Sequence, residues 1–536
     1  MKWIERGAAA LLLAAAAAPF WTGRYLPFLD LPQHLGLAAI VTRYHDPATR
    51  FAHYYTIDPQ ITPYWGYYGA MWLLGQVVPL ELANRLLFTA YAVGTPLAAA
   101  YLLASFGRDR RWAVLTLPLV FNTNLFFGFA TFLLSIPLFL VGLGLAERHL
   151  AADRAEAPRA LLLAGVAALA FLFHAQTYLL LCACALLLAV IHGLRRGLRF
   201  GAARCAPFLP SLALFASWFG RSFAAAGHAG VEEHTMRHRT YGAVGGLGAV
   251  YEPVRVVVEK LPERLVGAFT DRSDQRLALA LLAVFAAALV TSYARAPVSE
   301  VGATARADLS PSQRDGAGTL QRLLLAHRCD LLVLALLASY FLAPMEISGQ
   351  WYINPRHLVF AALALPLLLG RPARGWRAVL AGAGAAIAVL ACANAAAKVR
   401  AFQEQVGAFD VVARELPPGG RVLGLPFDNG AAGSVRTWPL LHFACFEQIL
   451  AGGDVGFSFA GLPSIPVRYR PGMQAPHPYE WFPEQFDWAS MGQFYDAFLV
   501  SGTPRGRGGE ELRRNAVVAA RAGTWSLWKP RPRRTP

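Results

Sequence analysis

Apolar runs separated by short polar connections fill the first three quarters of the chain. They fall near residues 4–22, 83–105, 112–127, 128–146, 160–173, 176–193, 205–220, 277–294, 330–344, 357–370 and 378–396, about eleven in all. Several are shorter than the roughly 20 residues a helix needs to cross a bilayer, yet they recur at that scale and are joined by arginine-bearing connections rather than by turn chemistry. After about Lys398 the periodicity becomes that of a water-facing fold. A helix is predicted from Phe402 to Glu415, stopped by Pro417-Pro418-Gly419-Gly420, and strands at Arg421–Leu425, Ala497–Val500, Ala516–Ala519 and Thr524–Trp528. The pattern divides the chain into a membrane part, 1–397, and a small α/β part, 398–536.

Composition agrees with a polytopic α-helical membrane protein: 56% of residues are hydrophobic, 15% are charged, and the mean hydropathy is +0.39. A net charge of +16 would suit a nucleic-acid binder, but the basic residues are dispersed and lack interleaved stacking aromatics. They act as topology signals. With a cytoplasmic N-terminus, the inner connections carry Lys2 and Arg6, then Arg108, Arg110 and Arg111, then Arg148, Arg154 and Arg159, then Arg195, Arg196, Arg199 and Arg204, and last Arg371, Arg374 and Arg377. The tight outer turns at 122–128 and 173–177 carry none. That is the positive-inside asymmetry of a multi-pass protein of the cell's inner membrane.

This orientation puts a first outer loop (23–82), a large outer loop (221–276) and the extracytoplasmic α/β domain on one side, with a cytoplasmic linker at 295–329. Segment 63–79 is read as a juxtamembrane or re-entrant helix. Residues 1–22 form an uncleaved first span, since Pro19-Phe20-Trp21 is a poor cleavage site. The six cysteines give no disulfide framework and show no metal-binding spacing, and nothing in the sequence supports a Cys392–Cys445 bridge.

Candidate chemistry collects at the outer rim, whereas the spans themselves are almost free of charge. Asp30 stands just past the first span in Phe28-Leu29-Asp30-Leu31-Pro32-Gln33-His34, and an acid at the membrane face is costly without a partner or a task. Its alternative role is to cap a helix from Pro32 to Tyr44. That helix would lie on the membrane with Leu35, Ala38, Ala39 and Thr42 on one face. His34 is a companion. Arg356, in Trp351-Tyr352-Ile353-Asn354-Pro355-Arg356-His357, suits a lipid phosphate or a snorkelling anchor, with His357 and Glu346 as weaker neighbours. Arg221 and Arg239 flank His228, Glu232, Glu233, His234, Arg237 and His238 in the large loop. His234 and His238 have metal-ligand spacing, but a solvated charged loop explains the stretch better and no metal site is assigned. His174 is read first as a polar cap between two helices. In Tyr479-Glu480-Trp481-Phe482-Pro483-Glu484, Trp481 and Glu484 suit stacking on a sugar ring and hydrogen bonding to its hydroxyls, or simply packing on the membrane part.

Phe28-Leu29-Asp30-Leu31-Pro32-Gln33-His34, the aromatic entry Pro63-Tyr64-Trp65-Gly66-Tyr67-Tyr68, Glu81-Leu82-Ala83-Asn84-Arg85-Leu86, and the turn from Asn122 to Pro137 together resemble the GT-C superfamily of integral membrane glycosyltransferases. The resemblance implies a sugar transferred from a polyprenyl-phosphate-linked donor to a glycan, lipid or protein acceptor on the outer face, by inverting displacement. Asp30 matches the family's loop acid, the general base. The family often pairs that acid with a second one; here leucine follows, which leaves any divalent metal without support, and no other cofactor is expected. Two other readings use the same features. One is a lipid-linked-sugar flippase or envelope assembly protein, which would place ionisable groups at mid-bilayer and carry internal repeats. The other is an O-antigen ligase or polymerase type of enzyme working through the 221–276 loop. The glycosyltransferase reading expects an outer cavity with Asp30 in its wall and an arginine nearby.

Overall fold

The computed structural model describes residues 2–226, 244–245, 248–293, 319–347, 350–370, 374–462 and 465–532. Among the described residues six helices are long and apolar enough to cross a membrane: Leu80–Ser105, Ala130–Ala151, Ala175–Arg196, Leu198–Ser222, Ser273–Tyr293 and Gly375–Val406. Leu320–Ala326 and Arg328–Leu342 make a seventh if their pair, bent by 68°, is one span; Arg6–Trp21, Ala157–Phe173 and Ile353–Leu368 are shorter apolar helices. The helices used below are α1 (Lys2–Ala17), α2 (Leu31–Thr42), α3 (Trp65–Gly75), α4 (Leu80–Ser105), α5 (Ala130–Ala151), α6 (Ala157–Phe173), α7 (Ala175–Arg196), α8 (Ser273–Tyr293), α9 (Ile353–Ala364), α10 (Arg374–Val406) and α11 (Phe446–Leu450).

Helix α5 forms the centre of the bundle, packed against α4, α6 and α7. Small residues let the backbones close up: Gly94 of α4 lies against Pro137, Gly144 against Tyr101 and Ser105, and Gly142 against Leu181. The apolar stretch of α5 is 83% buried and that of α8 only 11%, so α8 is a rim helix. Leu279, Leu282 and Val290 on α8, with Leu161, Leu186 and Val379 elsewhere, stay exposed; an apolar belt of that extent belongs in lipid.

The expected span at 112–127 takes an unexpected form. It consists of 3-10 turns at Arg110–Thr116 and Pro118–Phe121 and one α-turn at Thr123–Phe126. At about 2 Å per residue this stretch returns most of the length of α4 in fewer residues. Tyr91 of α4 donates to the Val120 carbonyl and receives a bond from the Asn122 amide, which fixes the return register. Pro118 breaks α-helical continuation. Segment 63–79 contains α3, whose 11 residues reach about 16 Å, half a bilayer core.

Arginines gather at the end of the bundle away from Asp30, where they satisfy helix C-terminal carbonyls as well as carrying charge. Arg204 donates to the carbonyls of His149 and Ala152, Arg196 to that of Ala152, and Arg159 to that of Arg148. Arg328 and His192 both bind the buried Glu147.

At the other end, α10 runs for 33 residues, so the span expected at 378–396 and the start of the helix expected at 402–415 are one element. It ends at Gly407, φ 54°, and Phe409–Ala413 forms a separate turn. Beyond it lies a five-stranded sheet, built from β2 (Arg421–Pro426), β3 (Asp454–Val455), β5 (Ala497–Ser501), β6 (Ala516–Ala522) and β7 (Trp525–Pro530), in the order β6-β7-β5-β2-β3. The β2 pairings with β5 and β3 are parallel, the others antiparallel. The first loop joins this region directly: β1 (Tyr55–Ile57) pairs antiparallel with β4 (Val467–Tyr469), and one hydrophobic core continues from the bundle into both.

Candidate active site

Helix α2 is not the surface-lying amphipathic helix the spacing suggested. Every residue from Leu31 to Val41 is buried, between α3 and α4 on one side and α11 on the other. The sequence Leu-Pro-Gln-His-Leu-Gly-Leu-Ala-Ala-Ile-Val-Thr has no polar stripe, and a helix apolar all round is a core helix. Gln33 serves the packing, donating to the Phe457 carbonyl and accepting from the Phe459 amide. His34 is buried with Nδ1 2.9 Å from the Tyr68 hydroxyl. Burial pushes its pKa down to about 4 against the opposing pull of Asp30, so it is neutral at physiological pH.

Asp30 occupies the N-cap position of α2, yet its side chain makes no capping bond. Its backbone is held instead. Leu29 and Asp30 donate to the carbonyls of Phe126 and Phe127 at 3.0 Å each, and Gly128 sits so close that a Cβ there would stand 2.7 Å from the Asp30 nitrogen. Glycine meets both demands of the position, the approach and a φ of +78°. The carboxylate, 14% exposed, faces His442, whose Nδ1 lies 3.4 Å from Oδ1.

His442 arrives on a segment threaded through the site. Phe269 bridges to Val435, Arg436 donates to the Ala268 carbonyl, and Thr437 to that of Phe126. Trp438 follows in left-handed backbone, φ 53°, a strained state for a bulky residue preceding proline. Tyr352 is left-handed too, φ 66°. Both belong to one aromatic cluster around Leu29, with Phe127, Phe129, Trp351 and Trp481. Two strained side chains in one cluster mark a place where the surrounding structure enforces geometry.

Tyr352 precedes α9 and thereby sets Arg356. The anchor at the interface expected from sequence is instead 8% exposed, its guanidinium 4.4 Å from the Phe129 ring centroid. Its Nε has no partner, and its one side-chain bond among the described residues is a 3.5 Å contact to the Gln176 amide oxygen. Asp30 and Tyr64 both act on its charge. His357 points elsewhere, to the Ser339 hydroxyl at 2.8 Å. His174 caps α7, accepting from the Thr177 amide, as the capping reading anticipated.

Of the other expected residues, Trp481 joins the cluster edge-on to Trp438 at 4.8 Å. Glu484 does not: it pairs with Arg505 at the surface. Arg221 is exposed and donates to the Ile61 carbonyl and Ser217. Arg239, His228, Glu232, Glu233, His234, Arg237 and His238 lie outside the described residues. Cys392 and Cys445 are free thiols. Among the described residues no group of three or more His, Cys, Asp or Glu could hold a metal ion. Two small cavities among the described residues do not include Asp30: one is lined by Arg24, Leu31, Pro32, Leu35, Arg85 and Phe446 among others, the second by Phe121, Val266, Phe269 and Asn394 among others. Beside Leu29 the space is filled by aromatic rings.

No family model and no curated protein sequence matches this chain. Solved structures similar to it include ArnT from Cupriavidus metallidurans bound to undecaprenyl phosphate, at 12% identity and a TM-score of 0.48 over 98% of each chain. The apo state of ArnT gives 12% and 0.43 with the same coverage. The mycobacterial arabinofuranosyltransferase AftD, as an R1389S mutant, gives 14% and 0.46 over 97% of this chain and 41% of that one. At these identities and TM-scores, likeness assigns neither activity nor residues.

Proposed function

We propose that this chain is a membrane glycosyltransferase of GT-C type, moving a sugar from a polyprenyl-phosphate-linked donor to an acceptor hydroxyl on the outer face. One observation carries the reading: an acid at a helix start, released from capping, shares its surroundings with a buried arginine that has no carboxylate partner among the described residues. A buried guanidinium that touches no carboxylate is expensive, and a departing lipid phosphate would supply the contact.

In this reading Asp30 accepts the proton of the acceptor hydroxyl as its oxygen attacks the anomeric carbon. The bond from that carbon to the phosphate oxygen breaks on the opposite face, the electron pair leaves with polyprenyl phosphate, and configuration inverts. Arg356 stabilises the phosphate as charge develops. Trp481 and Trp438, half-buried at the edge of the aromatic cluster, offer ring surface to the sugar. His34, neutral and held by Tyr68, shapes the wall and is assigned no proton transfer. No step is assigned to a metal. With the N-terminus cytoplasmic, as the arginine distribution suggests, this site would lie on the outer face, the face proposed for the acceptor.

The test is transfer in membranes carrying the chain, supplied with radiolabelled short-chain prenyl-phosphate sugars. Label leaving the lipid for an acceptor supports the reading. Label crossing the membrane while still lipid-linked indicates a flippase, and transfer only from diphosphate-linked oligosaccharides, abolished by R221A, H234A or H238A, indicates a ligase.

A further inference from the structure

The imidazole of His442 is 6% exposed, stacked on Phe457 at 5.6 Å and 22° and edge-on to Phe459 at 5.7 Å. Its Nδ1 lies 3.2 Å from the Leu29 carbonyl. A carbonyl only accepts, so Nδ1 carries the proton, and the same N–H lies 3.4 Å from Asp30 Oδ1. In the tautomer that places this proton on Nδ1, the ring's lone pair is on Nε2. That nitrogen is buried and has no partner, the state that costs a polar group most.

We infer that His442 Nε2 is a substrate-binding acceptor, taking a hydrogen bond from a hydroxyl of the transferred sugar. The inference rests on the proposed glycosyl transfer and deepens it. In the proposed transfer Asp30 engages the acceptor oxygen and the anomeric carbon stands next to that oxygen, so the transferred sugar lies beside the carboxylate that His442 touches. Nε2 lies on the far edge of the ring that touches Asp30, so the same side chain holds the base and reads the sugar. A site built to receive a hydroxyl rejects the analogue lacking it, because its own acceptor is then left bare.

Two substitutions separate the two edges of the ring. H442N keeps a donor where Nδ1 stands and removes the acceptor; H442Q keeps an acceptor near Nε2 and gives up the donor. With short-chain prenyl phosphates carrying a hexose or a pentose, H442N is expected to raise KM about 10- to 100-fold and to lose discrimination against the corresponding deoxy sugar, while H442Q recovers both. H442N with the KM and the deoxy discrimination of the wild type overturns the inference, since Nε2 would then hold only water. A second readout does not depend on turnover: in histidine-labelled protein, the 15N resonance absent from H442N must shift when these donors are added to the wild type. A resonance that stays put overturns the inference; a wild type that moves no sugar, with the resonance shifting, overturns the transfer reading and leaves the binding role standing.

Discussion

Glu447 on α11 is fully buried, and neither carboxyl oxygen has a hydrogen-bond partner. The nearby arginine is committed elsewhere: Arg421 pairs with Asp454 at 2.6 Å through Nε and donates its amide to Asp496. Burial, reinforced by the negative charges of Asp496 and Asp454, pushes Glu447 up to about 9 from 4.5. The folded chain therefore binds this proton more tightly than the unfolded chain. Stability is intact below the unfolded value near 4.5 and falls as pH rises toward 9, where the loss levels off. Each pH unit inside that window removes at most about 1.4 kcal/mol, so pH 6 to pH 8 costs up to about 3 kcal/mol. In E447Q the titration is gone, while the amide buries donors of its own at about 1–3 kcal/mol. Thermal unfolding of detergent-solubilised protein between pH 5.5 and 8.5 reads the difference directly. E447Q should have the lower Tm at pH 5.5 and gain on the wild type steadily with pH. Parallel curves across that range would refute the buried, protonated carboxyl.

Gly128→Ala should stop transfer and cost clearly more stability than Gly107→Ala. Both glycines have φ above +70°, but only at Gly128 does a Cβ meet the Asp30 and Leu31 backbone; equal activity in the two variants would contradict the role of the turn. R356K keeps the charge and loses the planar fork and the stacking on Phe129, so transfer should fall about 10- to 100-fold with KM for the lipid donor raised; wild-type kinetics in R356A would remove the phosphate role. E484Q should transfer normally and lose no more stability than a surface pair contributes, about 1 kcal/mol, because Glu484 is spent on Arg505. A transfer defect there would return Glu484 to the site.

Local signals were legible wherever one stretch of chain decides its own structure. The expected strands at Arg421, Ala497, Ala516 and Thr524 coincide with β2, β5, β6 and β7 to within a few residues, and Pro32 and Asp30 marked the start of α2. Long-range partners were not. Nothing in α2 announces that a helix from the far end of the chain will cover it, so an all-apolar helix read as surface-lying turned out to be core. The residue facing Asp30 is 413 positions from its neighbour Leu29, and a lone histidine between Leu441 and Phe443 carries no motif. Its one trace was the run of turn residues and aromatics from Asn429 onward, which marks irregular backbone without saying what it touches. Arg356 was found by residue type, but its burial followed from the left-handed Tyr352 and the Phe129 ring, which spacing does not reveal.

The base role of Asp30 is tested most directly by D30N, which keeps shape and removes the proton acceptor. Donor binding should persist, measured with a prenyl-phosphate sugar, while single-turnover transfer falls by about 10²- to 10⁴-fold. Full transfer by D30N would contradict the account at its centre.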